Sequence, residues 1–289
     1  MAKVAVVGLG MMGSRIARRL VDAGHDLVAW NRSVERAAPF VAVGTPAQAA
    51  QQSDAVFVMV SDPGALREVT EGPDGILAGA RPGTTVIQMS TVGPAAVAHL
   101  ASSLPEGVEL LDAPVLGSLS EAEAGTLRVF AGGSSELVEK WTPVLSSLGS
   151  VLHVGPVGAG TAAKLVANST LLGALGVLGE ALALAQKLEL SSEATFEVLS
   201  ATPLAAQAER RREPFETGEY PVRFALALAL KDAELISAAA GGIDLKVAAA
   251  VRDWFEEAVG EGAGEDDYSS ILAHIAPYAS DASSSSSTS

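Results

Sequence analysis

Residues 3–13 read KVAVVGLGMMG, and residues 14–24 continue as SRIARRLVDAG. A short β-branched run, a glycine turn and a helix follow one another, the order of a strand–turn–helix unit. Gly8 permits a tight turn, Gly10 lets the backbone approach a bound group, and Gly13 lets helix and strand pack closely. The helix start presents unbonded N–H groups and the positive end of its dipole. A pyrophosphate suits that position, so Gly8, Leu9, Gly10, Met11, Met12 and Gly13 are expected to hold a dinucleotide. Gly24 then closes the helix as a left-handed cap.

Outward from this unit, a second strand over 26–30 delivers Asn31, Arg32 and Ser33 at its carboxyl end. In NAD enzymes an acidic residue here bonds the ribose hydroxyls. This chain has Asn31 instead, with Arg32 beside it and Arg36 about one turn on. A carboxylate repels a 2′-phosphate and a guanidinium binds one, so NADP(H) is expected rather than NAD(H). Alternation continues with helices over 45–52 and 63–69 and strands over 55–60 and 84–89. Val60, Ser61, Asp62, Ser90 and Thr91 follow strand ends, where ligands sit in open α/β sheets, and are candidates for nicotinamide or ribose contact. Residues 110–118, LLDAPVLGS, lead into a Glu/Ala-rich link and a strand through Phe130. Leu116, Gly117 and Ser118 form a loop whose N–H groups and hydroxyl suit a carboxylate or carbonyl oxygen; an ordinary turn is the alternative. A helix over 134–148, a strand over 150–154 and a glycine-rich link over 155–160 complete the first half.

Residues 158–188, GAGTAAKLVANSTLLGALGVLGEALALAQKL, contain no proline and are long enough for roughly eight turns of helix. Lys164 and Asn168 are four apart, share a face and can bond one small molecule; a snorkelling lysine beside an incidental asparagine is the alternative. Gly173, Gly176 and Gly179 each cost about 1 kcal/mol against Ala within a helix, and their spacing predicts close helix approach. Further helices are expected to about 199, over 203–212, 224–240, 245–259 and 271–278. Arg210, Arg211 and Arg212 read as a solvated helix end. The tail 279–289, nearly all Ser and Ala, is expected to be disordered.

The 289 residues are 48% apolar, enough for a large core, and the length suggests two domains. A net charge of −15 opposes a nucleic-acid surface. With no cysteine there is neither disulfide nor thiol chemistry, and His25, His99, His153 and His274 show no metal-ligand spacing. No signal segment precedes the first strand and no uninterrupted apolar run suits a membrane span, so a cytoplasmic protein is expected.

Taken together, GLGMMG, WNR, MSTV, DAPVLGSLSEAEAGTL, GAGTAAKLVAN and LKDAEL resemble, in order from residue 8 to about 235, the β-hydroxyacid dehydrogenase family. That family includes 3-hydroxyisobutyrate dehydrogenases, tartronate semialdehyde reductases and glyoxylate/succinic semialdehyde reductases. The resemblance implies an α/β fold: an N-terminal Rossmann domain, 1–157, joined by a long interdomain helix to an all-α C-terminal domain, 158–278. It implies hydride transfer between a nicotinamide and a small carbonyl or hydroxy acid. Lys164 matches the family's catalytic lysine and Asn168 its substrate-orienting asparagine; Thr91 and Lys231 match cofactor contacts. The family's substrate loop usually reads PVSGG or PVSGS, and Leu116 replaces its carboxylate-anchoring serine. The Gly117-Ser118 ending is similar to the glyoxylate/succinic semialdehyde reductase branch. Imine reductases, which share the overall plan, are an alternative, as is a non-catalytic NADPH-binding protein. Small residues in the second half suggest helices packed against another subunit, a homodimer or dimer of dimers.

Overall fold

The computed structural model describes residues 1–277. Tyr278 and the tail expected to be disordered lie outside the described residues. The first half alternates β1 (Lys3–Val7), α1 (Met11–Asp22), β2 (Asp26–Trp30), β3 (Val41–Ala42), α2 (Pro46–Gln51), β4 (Ala55–Val58), α3 (Pro63–Thr70), α4 (Ile76–Gly79), β5 (Thr85–Gln88), α5 (Pro94–Ser102) and β6 (Glu109–Asp112). It continues with β7 (Val115–Leu116), α6 (Leu119–Ala124), β8 (Leu127–Gly132), α7 (Ser135–Leu145) and β9 (Gly149–Gly155).

These strands form one sheet in the order β3-β2-β1-β4-β5-β6-β8-β7, with β9 against β8. Pairing from β3 to β6 is parallel, the six-stranded order of the doubly wound Rossmann sheet. β8 runs antiparallel to β6 and β7 and parallel to β9. A parallel central strand is covered on both faces, hence the near-continuous apolar runs of β1 and β4. Val4 and Val6 join the apolar layer under α1 and α7, which includes Ile16, Leu20, Val138 and Trp141. Ala5 and Val7 face the opposite layer with Ala49, Leu66, Val97 and Leu100.

The second half is helical: α8 (Ala159–Lys187), α9 (Ser192–Ser200), α10 (Ala205–Thr217), α11 (Leu226–Ala239), α12 (Lys246–Gly260) and α13 (Ile271–Ile275). The chain divides into two compact units, Met1–Ala167 and Asn168 onward, a division that falls within α8 rather than in the glycine link before it. The first turns of α8 belong to the sheet unit because they are seated on it: a Cβ on Gly160 would lie 2.2 Å from the Asp112 carbonyl oxygen and 2.5 Å from that of Phe130. In the helical unit, a Cβ on Gly176 would meet Val251 at 2.7 Å, and one on Gly179 would meet Ile275 at 2.8 Å. The glycines expected to permit close helix approach do so, against α12 and α13. Among the described residues α8 is the one helix long and apolar enough to cross a membrane, and 44% of its most apolar window is buried.

Several expectations are corrected. The Glu/Ala-rich link is helix α6, started by a capping box of Ser118 and Glu121. The last helix ends at Ile275. The arginine cluster lies inside α10, not at its end, and Arg211 is 4% exposed. Its guanidinium donates to Gln207 Oε1 at 2.5 Å and Tyr268 OH at 2.6 Å and packs on the Tyr268 ring. Arg210, exposed, and Arg212, half-buried and in an ion pair with Glu216 at 3.0 Å, keep the surface character expected.

Candidate active site

The glycine turn after β1 is built as its sequence requires. Gly8 has φ +97°, and a Cβ there would lie 2.1 Å from Met59 O. A Cβ on Gly13 would lie 2.0 Å from Gly8 O, so the start of α1 rests directly on the turn. Gly10 differs: nothing stands within 4 Å of an added Cβ. It is the N-cap of α1 and supplies no side-chain hydrogen bond, leaving the first N–H groups of the helix to a ligand. Open space above Gly10, with close packing at Gly8 and Gly13, fits the pyrophosphate of a dinucleotide.

Asn31 turns inward. Its Oδ1 accepts the Leu9 N–H at 2.8 Å and its Nδ2 donates to Ser33 O at 3.0 Å, so it braces the glycine turn from the end of β2. Asn31, expected to contact the cofactor, thus also supports the turn expected to hold it. Arg32 is 82% exposed at its side chain and lies 3.7 Å from Glu68. An exposed pair of that kind is worth about 0–1 kcal/mol, too little to withhold the guanidinium from a phosphate.

At the ends of β4 and β5 the polar residues have structural work. Ser90 is buried; its Oγ accepts the Val60 N–H at 2.8 Å and lies 3.3 Å from Val58 O, tying the two strand ends together. Asp62 caps α3, its Oδ1 accepting the Ala65 N–H at 2.8 Å, while Ser61 donates to its Oδ2 at 2.5 Å. Thr91 is half-buried at the next loop.

Leu116 ends β7 opposite Arg128, and Gly117 adopts φ +138°. Ser118, expected at the substrate loop, bonds within the chain. Its N–H donates to Glu121 Oε2 at 2.9 Å, its hydroxyl bonds the same oxygen, and Ser120 Oγ joins them at 3.0 Å. The Ser118 hydroxyl, chiefly, lowers the Glu121 carboxyl to about 2. The donors of Ser118 thus hold a carboxylate, and it is the chain's own. The Ser-x-x-Glu spacing was the available signal.

Lys164 is half-buried on α8, in the sheet unit. Thr161, earlier on the same helix, donates to Asp112 at the end of β6 through its N–H at 2.7 Å and its hydroxyl at 2.7 Å. Burial pushes the Asp112 carboxyl up from its ordinary value, against hydrogen bonds from Thr161 and the Gly158 amide that pull it down. Asn168, 4% exposed, opens the helical unit. Its Nδ2 donates to Asp232 Oδ2 at 2.6 Å, and its buried Oδ1 has no hydrogen-bond partner among the described residues. Lys231 Nζ lies 2.7 Å from Asp232 Oδ1. Asp232 thus fixes the amide so that its oxygen, an acceptor, is left over. Asp112, Glu121 and Asp232 are the residues that sequence reasoning passed over. Only Glu121 had a local signature. Among the described residues no group of three His, Asp or Glu is placed to hold a metal ion.

A nucleotide cradle on a doubly wound sheet, followed by a helical unit, defines a dinucleotide-dependent oxidoreductase. Residues 3–157 match the model of the NAD-binding domain of 6-phosphogluconate dehydrogenase. Residues 158–275 match that of the NAD-binding domain of NADP-dependent 3-hydroxyisobutyrate dehydrogenase. The chain belongs to the β-hydroxyacid dehydrogenase family and is an NAD(P)-dependent oxidoreductase acting on CH–OH groups. It is 34% identical to 2-(hydroxymethyl)glutarate dehydrogenase of Eubacterium barkeri, with 93% of each chain covered. It is 30% identical to chloroplastic glyoxylate/succinic semialdehyde reductase 2 of Arabidopsis thaliana, over 93% of this chain and 78% of that one. Among solved structures, 3-hydroxyisobutyrate dehydrogenase of Mycobacterium tuberculosis with L-serine superimposes with a TM-score of 0.85 at 27% identity, covering 95% of this chain and 99% of that one.

Proposed function

We propose that this enzyme uses NADP(H) to interconvert a small semialdehyde and the corresponding hydroxy acid, with Lys164 as general acid–base. The observation that carries the reading is Asn168: a buried amide whose Nδ2 is held by Asp232 and whose Oδ1 is unbonded, four residues after Lys164 on one helix. Buried polar atoms are nearly always paired, so such an oxygen suits a ligand donor. A hydroxyl on the substrate is that donor. The nicotinamide, when bound, supplies or accepts the hydride. Lys164 delivers a proton to the carbonyl oxygen on reduction and takes it from the alcohol on oxidation. Asn168 Oδ1 orients the hydroxyl, and Asp232 keeps that amide from rotating.

Gly8 through Gly13 hold the pyrophosphate, with Asn31 behind them. Arg32 and Ser33 face the 2′-phosphate, and the absence of a carboxylate at position 31 supports NADP(H) over NAD(H). Val60, Ser61, Asp62, Thr91 and Lys231 complete the cofactor contacts. The relatives named above act on, or are named for, carboxylate-bearing compounds. The substrate class proposed is therefore an acid, met at a loop with Leu116 in place of serine. The working protein is expected to be a homodimer or a dimer of dimers.

NADPH consumption against glyoxylate, succinic and malonic semialdehydes, simple aldehydes and cyclic imines tests the reading, with NADH run in parallel. Turnover of a semialdehyde, preferring NADPH by about tenfold or more, is expected. Lys164→Ala should remove most turnover and leave NADPH affinity nearly intact. Unaltered turnover in that variant refutes the assignment, and turnover of imines alone would transfer the chain to an imine reductase.

A further inference from the structure

We infer that Asp112 is a positioning residue for Lys164, a carboxylate from the end of β6 that caps the helix carrying the reacting amine. This rests on the reading of Lys164 given above. The first intrahelical bond of α8 runs from the Ala162 N–H to Gly158 O at 3.0 Å, so Gly158 is the N-cap and Thr161 the third helical residue. An N-cap side chain ordinarily accepts that third N–H. Gly158 has no side chain, and its φ of +92° is one that few other residues adopt. Asp112 takes over the task from a distant strand: Oδ2 accepts the Thr161 N–H and Oδ1 the Thr161 hydroxyl, each at 2.7 Å.

The arrangement is tight and dry. Asp112 is 0% exposed, and its sheet neighbours are Gln88 on β5 and Gly132 on β8, neither of them charged. A Cβ on Gly132 would lie 2.7 Å from Gly160 N, which leaves the helix start no room to slide. An isolated buried carboxylate is strongly unfavourable, and what offsets it here is the set of donors at the start of α8. The carboxylate also faces the positive end of the helix dipole. Lys164 is three residues beyond Thr161, on the next turn of the same face. Anything that loosens the cap therefore shifts the amine, and a displacement of about 1 Å at a reacting group can cost about 100-fold in rate.

Full-length Asp112→Asn, Thr161→Val and Thr161→Ser are compared for kcat and KM with the best substrate of the panel, for NADPH Kd by fluorescence, and for amide exchange of the 159–168 segment by mass spectrometry. Asn preserves the shape of Asp112 but turns a donor toward Thr161. Val preserves the shape of Thr161 and removes its hydroxyl. Ser keeps both donors. The first two should lower kcat about tenfold or more while KM and Kd stay within about threefold, and should speed exchange in 159–168 but not in β1. Thr161→Ser should remain within about threefold of the parent in every quantity. Should Asp112→Asn not fold, the Thr161 pair carries the comparison. Undiminished kcat in Thr161→Val, a fall in kcat matched by equal losses in KM and Kd, or a Thr161→Ser variant as impaired as Thr161→Val would each overturn the inference. Lys164→Gln is run beside them. Full activity there removes the reading of Lys164 itself, whereas an inactive Lys164→Gln with a fully active Thr161→Val removes only the role of Asp112.

Discussion

At the scale of single residues, Glu121 has the most specific consequences. Its carboxylate holds the Ser118 N–H and the hydroxyls of Ser118 and Ser120, and its pKa falls from 4.5 to about 2, the Ser118 hydroxyl contributing most. A depressed folded-state value means stabilisation present above the unfolded value and lost as pH falls through the folded one. The stability difference between the parent and Glu121→Gln, followed by denaturant titration, should therefore be constant above pH 4.5 and vanish towards pH 2. A difference that persists at the acid end would contradict the sign. Glu121→Ala should also free donors at the loop and lower KM for succinic semialdehyde by about threefold. Residues of this kind decide how far the sequence could be read. Gly8 and Gly13 were legible because the need to lack a side chain, at φ +97° and against Gly8 O respectively, is set within one short turn. The bracing bond of Asn31 was not legible, since its partner, the Leu9 N–H, lies on a turn 22 residues earlier. Arg211 looked like surface because its partners Gln207 and Tyr268 are neutral, and Tyr268 is 57 residues away.

Elements were legible where periodicity and punctuation agreed. β1 and β2 occupy the residues expected, and α8 differs only at its ends. β3 escaped notice because a pair of residues on a sheet edge has no period. Helix α6 reads as a link in the sequence because its few residues are rich in Glu and Ala, and only the capping box marks its start. The glycines of α8 permit a prediction in which two effects oppose each other. Gly176→Ala gains about 1 kcal/mol of helix propensity. Its new Cβ would meet Val251 at 2.7 Å and the Trp254 ring at 3.0 Å, and overpacking of that kind costs about 1–3 kcal/mol. Overpacking wins, so a net loss of about 1 kcal/mol is expected by urea titration. Gly160→Ala should cost more, since the obstacles at 2.2 and 2.5 Å are backbone carbonyl oxygens that cannot swing away. Equal stability of Gly160→Ala and the parent would mean that the start of α8 is not seated on the sheet.

For the whole molecule, the helical unit leaves apolar side chains uncovered. Val177 and Leu184, 43 and 60% exposed, fall along one side of α8, and Leu188, 64% exposed, follows directly after its last residue. Side chains repeated at this spacing form a continuous stripe, and contiguous exposed apolar surface marks an association site. Light scattering at micromolar concentration should give at least twice the 29.3 kDa chain mass, and Leu184→Lys should shift it towards the monomer. Monomer alone in the parent would end the expectation of a subunit pair. The cap on α8 bears on how such a chain comes into being. Asp112 and Thr161 are 49 residues apart, and the start of the helix has no side-chain cap of its own. A growing or partly refolded chain can wind much of α8 locally, but its first turn stays frayed until β6 has joined the sheet. On the role proposed for Lys164, its amine would reach its working place only once the sheet unit is complete, and half-folded chains would be chemically silent.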